Sequence, residues 1–176
     1  MQTDTLADIL HEVPALSRLT HEQVLQLADA ASTLQYAPGD LILREGHRSQ
    51  NLWIVLEGWC EVVRLRDTTD DVVLAELERH DLFGEMSFFH DAPHSASVRA
   101  KTAVWLLRIE KAQFDELVKN ECWGAYELTQ QVAQSMADRL RQMDQWVADL
   151  LQQNGTTPDK AEWSNFRDKL FTGWNL

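Results

Sequence analysis

The sequence predicts a mainly β domain with flanking helices, and three observations carry that expectation. Between Gln35 and Ile109, short apolar stretches alternate with glycine-bearing turns. On either side of this region the apolar period becomes helical. One of the later helices is also too long for a small β domain to cover by itself.

The first 34 residues read as helical. Leu6, Ile9 and Leu10 recur at helical spacing, and a break follows near Pro14. Thr20 precedes HEQVLQLADA, and Gln23 three positions later completes the S/T-x-x-E/Q form of a capping box. From Gln35 the runs YAPGDLILREG, NLWIVLEG, WCEVVRLR and DVVLAELE read as strands. Pro38-Gly39 reads as a turn, and Gly46 and Gly58 as backbone positions that a side chain would not tolerate. RDTTDD, before Val72, reads as a hairpin connection, and AVWLLRI at 103–109 as a core strand. Several short strands at this spacing suggest a closed or sandwiched unit.

After Glu110, Phe114, Leu117 and Val118 mark one helix. A second runs from about Tyr126 to Gln152, with Leu128, Val132, Met136, Leu140, Met143, Val147 and Leu150 as its apolar seam. From Met136 the steps are four, three, four and three, which is coiled-coil spacing. A helix of about 27 residues spans roughly 40 Å. Its excess length calls for a partner, simplest as its own copy in a two-fold dimer, or else the seam packs on its own domain. Beyond it, Asn154-Gly155 ends the helix. Thr157-Pro158 suits the start of a short new one, lined by Trp163, Phe166 and Leu170. This aromatic segment either folds back on the body or docks a protein partner. The expected division is 1–124 for the β domain with its N-terminal helices, 125–153 for the long helix and 154–176 for the aromatic segment.

Composition excludes several classes. The formal charge is −12, and the densest basic group, Arg139 and Arg141, is bracketed by Asp138 and Asp144. Such a surface does not replace phosphate counterions along a duplex, so no DNA partner is expected. No run approaches 18 apolar residues, and the N-terminus lacks a basic start and a long apolar stretch, so the chain reads as cytoplasmic, without membrane contact. Cys60 and Cys122 have no metal-ligand spacing and read as structural thiols. His90 and His94 have Pro93 between them and no further Cys or His cluster, so no metal site is expected. No nucleophile–base arrangement or paired carboxylates stand out, and no enzyme is expected.

The most informative stretch is FGEMSFFHDAPHSASVRA at 83–100. With YAPGDLILREG, NLWIVLEGWCEVVRL and TAVWLLRI, and with Gly39, Gly46, Gly58 and Gly84 at the turns, it resembles the cyclic-nucleotide-binding domain of the catabolite-activator and protein-kinase-A-regulatory type. The resemblance covers about residues 5–152. It implies a β-roll or jelly roll followed by a long dimerisation helix. It also implies a non-enzymatic regulatory module that needs no cofactor, binds a cyclic nucleotide or related phosphate ligand, and signals through its helix to a protein partner.

The resemblance places ligand contacts at Gly84, Glu85, Met86, Ser87, His94, Ser95 and Ser97, with Met143 and Asp144 near the base. Glu85 to Phe89 reads as a short helix whose start can receive phosphate, with Gly84 allowing close approach. Glu85 matches the carboxylate that accepts ribose hydroxyls, or else caps locally. His94 departs from the family, which has arginine there. Arginine offers a permanently charged bidentate fork, whereas imidazole gives one donor to a given oxygen and is mostly neutral at pH 7. The departure predicts a loss on the order of tenfold to a thousandfold in phosphate-ligand affinity, and a clamp that works only while His94 is protonated. The competing expectation is a degenerate, ligand-free scaffold that serves as a protein-interaction dimer.

Overall fold

The computed structural model describes residues 3–64 and 71–153. Helix α1 (Thr3–His11) and a 3-10 turn at Pro14–Leu16 lead into α2 (His21–Asp29). The capping box at the start of α2 is formed. The Gln23 amide donates to Thr20 Oγ1 at 3.3 Å, and the Thr20 amide donates to Gln23 Oε1 at 2.8 Å. Eight strands follow in the described residues: β1 (Ala31–Tyr36), β2 (Leu41–Leu43), β3 (Asn51–Glu57), β4 (Cys60–Arg64), β5 (Val72–Leu77), β6 (Leu82–Phe83), β7 (Ser97–Ala100) and β8 (Val104–Glu110). Helix α3 (Glu85–Phe89) lies between β6 and β7, and α4 (Lys111–Lys119) and α5 (Trp123–Gln153) follow β8.

The strands form two antiparallel four-stranded sheets, ordered β1-β8-β3-β6 and β2-β7-β4-β5. The fold is thus mixed, two antiparallel sheets with helices before and after. Both sheets contribute to one apolar core. Trp53, Val55, Phe83, Val104 and Leu106 come from the first, and Leu43, Cys60, Leu77, Val98 and Ala100 from the second. Phe88 of α3 packs edge-on against Phe114 of α4 at 5.2 Å between centroids, which fixes α3 beside the end of β8.

The chain divides into two compact units, 1–132 and 133–176. The first turns of α5 belong to the first unit, with Ala125, Leu128 and Val132 buried. In the second unit Met136 and Leu140 are half-buried, while the side chains of Met143, Val147 and Leu150 lie outside the described residues. So do the RDTTDD connection up to Asp70 and the C-terminal segment 154–176. The long helix begins three residues earlier than the apolar period suggested, at Trp123 rather than Tyr126, because Trp123 and Tyr126 form an exposed ring pair that carries no apolar-face signal. Cys122 lies just before that helix and not within it. Its thiol is half-buried and donates to Gln26 Oε1 at 3.0 Å, whereas Cys60 is fully buried. Burial pushes the Cys60 thiol up to about 11, so it stays protonated.

Gly58 shows how tightly one turn is built. It has φ +85, and a Cβ there would stand 2.3 Å from the Ala103 carbonyl oxygen, a backbone atom that cannot swing aside. Gly39 also has positive φ, but a Cβ would meet nothing within 4 Å. Gly58→Ala is therefore expected to cost on the order of 3 kcal/mol and Gly39→Ala about 1 kcal/mol. Urea unfolding of the two variants, read against the unsubstituted chain, checks the difference.

Candidate functional site

The segment from His90 to Ser97 is pinned to the turn that joins β2 and β3. The His94 amide donates to the His47 carbonyl at 2.9 Å, and the Gly46 amide returns a bond to the His94 carbonyl at 2.9 Å. One step further along, the Glu45 amide donates to Ser97 Oγ at 3.0 Å. Residues 45–49 and 94–97 are thereby fastened together across a long stretch of chain. The other wall is α3. Gly84 has φ +84 at its N-cap, and a Cβ there would lie 2.6 Å from the Asn51 carbonyl oxygen. Only glycine lets β6 turn into α3 this close to the start of β3.

His94 sits between these walls, 7% exposed, and both ring nitrogens are engaged. Ser49 Oγ lies 2.8 Å from Nε2, and Ser87 Oγ lies 2.9 Å from Nδ1. The Ser87 hydroxyl also donates to the Gly84 carbonyl at 3.2 Å. With the Ser87 proton on the Gly84 carbonyl, Ser87 accepts from Nδ1–H, and Nε2 accepts from the Ser49 hydroxyl when the ring is neutral or donates to it when the ring is charged. In that arrangement Nδ1 carries a proton, and the surroundings of the ring decide its charge. Burial first, and the neighbouring His47 second, hold the His94 pKa below its usual 6.5. The mostly neutral imidazole expected at pH 7 is what this environment favours in the protein without ligand, with the ring held between Ser49 and Ser87.

The other anticipated residues of the cassette fall around this ring. Glu85 opens α3 and is buried at 6% exposure. Met86 is exposed, and Ser95 Oγ approaches its sulfur at 3.9 Å. Ser97 is fully buried on β7. Asp144 is exposed and belongs to the second unit, as does Met143, whose side chain lies outside the described residues. Arg99 does not join the site. The β4–β7 register sets it opposite Glu61, and its guanidinium pairs with Glu61 and Asp71, each at 2.8 Å. His90 is exposed, and the described residues hold no group of three metal-ligating side chains. A separate hollow of about 350 Å³ lies by β1 and β8, lined by Gln35, Tyr36, Glu57 and Trp105, and takes in none of these residues.

Three residues that touch the cassette were not anticipated: Ser49, which lies at Nε2 of the ring, and Glu45 and Arg64, which contact Ser97 and Ser95. Ser49 stands 45 positions from His94, and no local pattern marks it.

A depressed histidine pKa has a definite linkage sign. The folded protein takes up this proton less readily than the unfolded chain, so the unfolded state binds more protons below pH ~6.5. The stability contributed by neutral His94 is complete above that pH and is lost as the pH falls through it toward the lower folded pKa. His94→Gln lacks the titration, so wild type is expected to lose stability relative to this variant between pH 7.5 and pH 5. Denaturant midpoints of both proteins across that window measure the effect.

Comparison with known proteins places this geometry in a family. The cyclic nucleotide-binding domain model matches residues 33–121, half of the chain. The cAMP-dependent protein kinase regulatory subunit of Schizosaccharomyces pombe is 33% identical over 112 residues, covering 64% of this chain and 26% of that protein. Among solved structures, the regulatory subunit of a cAMP-independent protein kinase A from Trypanosoma brucei matches with TM-score 0.62 and 32% identity, over 75% of this chain and 47% of that one. The corresponding Trypanosoma cruzi regulatory subunit, bound to guanosine, matches with TM-score 0.59 and 28% identity, over 77% and 50%. The chain thus spans about a quarter of the yeast relative's length and about half of each trypanosome chain. What it shares with them is a non-catalytic regulatory domain, and the chain belongs to the cyclic nucleotide-binding domain family.

Proposed function

We propose that this domain is a ligand-operated regulatory module whose cradle, at α3 and His94, holds ribose-bearing ligands: nucleosides first, and cyclic nucleotides with reduced affinity. The observation that carries this reading is the neutral His94 ring, satisfied by Ser49 and Ser87, at the place where the family resemblance sets arginine. A cyclic phosphodiester arriving there meets no fixed positive charge and must break a hydroxyl bond to gain a donor. An uncharged nucleoside forgoes nothing by the loss of arginine. Glu85, buried at the start of α3, supplies the carboxylate that accepts ribose hydroxyls. The guanosine-bound trypanosome relative supports the same ligand class.

In this reading the two sheets close into a β-roll, which the shared core of Trp53, Phe83, Leu43 and Val98 favours. Residues 1–124 form the ligand-binding body, and 125–153 form a helix that pairs with its copy along the seam from Met136 and Leu140. Met143 and Asp144 belong to that helix, and 154–176 is a docking segment for a protein partner. Ligand binding shifts the helix and alters the surface it presents. A second reading, a ligand-free scaffold, is favoured by the same His94 network, because a cradle that satisfies its own polar groups has no need of a ligand.

Isothermal titration with guanosine, adenosine, cyclic AMP and cyclic GMP separates the two. The ligand reading expects saturable nucleoside binding at least as tight as that of the cyclic nucleotides. His94→Arg is expected to raise cyclic-nucleotide affinity by about tenfold or more, the worth of one charge-assisted bond, with nucleoside affinity unchanged. Flat heats for folded wild type and folded His94→Arg with all four ligands would leave the scaffold.

A further inference from the structure

If the cradle takes ribose-bearing ligands, as proposed above, a charged member of that class still needs a cation, and His94 does not provide one. We propose that Arg64, at the end of β4, receives the negative charge of such a ligand at the mouth of the cradle, in place of a cation on the cassette itself.

The register brings Arg64 there. Strand β4 pairs with β7 so that Val63 lies opposite Ser97, and Arg64 is the next residue outward, beside the segment that carries His94. Its Nη2 lies 3.5 Å from the Ser95 carbonyl oxygen, and its Nε lies 3.5 Å from Glu45 Oε1. Both contacts are at the outer limit of a hydrogen bond, so the guanidinium is positioned but not consumed. The side chain is 54% exposed and can turn toward a bound anion without leaving a buried charge behind.

Two neighbouring arginines are committed elsewhere. Arg48 is fixed on Asp91, donating to its carbonyl at 2.9 Å and meeting its carboxylate at 3.2 Å. Arg99 is held by Glu61 and Asp71, both at 2.8 Å. Arg44 is exposed, and no contact among the described residues brings its side chain to the cassette. In a chain of net charge −12, Arg64 is thus the guanidinium at Ser95 that a ligand can recruit. Glu45 opposes it. This carboxylate partly neutralises Arg64 and also repels an incoming phosphate, while its separate backbone bond to Ser97 does not depend on the side chain.

The two residues therefore act on anionic ligands with opposite signs. Titrations of wild type, Arg64→Gln and Glu45→Gln use cyclic AMP, cyclic GMP and guanosine, at low salt and at 0.5 M salt, with melting curves for folding. Arg64→Gln is expected to weaken cyclic-nucleotide binding roughly three- to fivefold at low salt. Glu45→Gln is expected to strengthen it about twofold or more. Both effects should shrink at high salt, where charges at an exposed mouth are screened, and guanosine binding should change in neither variant. Equal losses for guanosine and cyclic nucleotides, or no change in either, would overturn the assignment to Arg64 and leave the ribose-ligand reading standing. If wild type and both variants bind none of the three ligands, the ribose-ligand reading fails and this inference with it.

Discussion

The His94 imidazole is tied at both nitrogens to hydroxyls from opposite walls, Ser49 before β3 and Ser87 in α3, and much of the site's character follows from that double tether. A ring held this way cannot offer a proton to a ligand without releasing Ser87. Taking up a second proton would reverse its bond to Ser49, with Nε2–H donating and the hydroxyl accepting. The same tether joins α3 to the turn between β2 and β3, where backbone bonds between Gly46, His47 and His94 already fasten the cassette. A substitution that removes charge from the cradle therefore also adds a structural link across it.

The electrostatic consequence is local. The family's cradle is built for an anion. Here a histidine held below its usual pKa stands between two hydroxyls, and the Arg64 guanidinium approaches the Ser95 carbonyl and Glu45. Glu85, at the start of α3, is a buried carboxylate. The β framework that supports this arrangement is constrained at its turns, since Gly84 and Gly58 each sit against a carbonyl oxygen that excludes any side chain.

Features governed by local rules were legible in the sequence. The Thr20–Gln23 capping box, the turn glycines, the bounds of α3 and the core strand after the cassette all follow from spacing and backbone chemistry within a few residues. Two buried members of the cassette, Glu85 and Ser97, were also marked, because the resemblance fixed their order along the chain. What escaped the reading depends on strand register and long-range closure. Ser49 gives no sign that it meets His94, because nothing within a few residues of either indicates the other. The commitment of Arg99 to Glu61 and Asp71 becomes visible only once β4 and β7 are paired. The depressed pKa of the His94 ring is non-local in the same way: it is set by burial and by His47, neither of which the motif encodes.

The most direct test of this account is the protonation state of the His94 ring in the folded protein without ligand. Long-range nitrogen-15 spectra of the imidazole, followed through a pH titration, report both the tautomer and the pKa. The account requires a neutral ring at pH 7 carrying its proton on Nδ1, with a midpoint below the usual histidine value of about 6.5. An imidazolium at pH 7, or a neutral ring with its proton on Nε2, would contradict it.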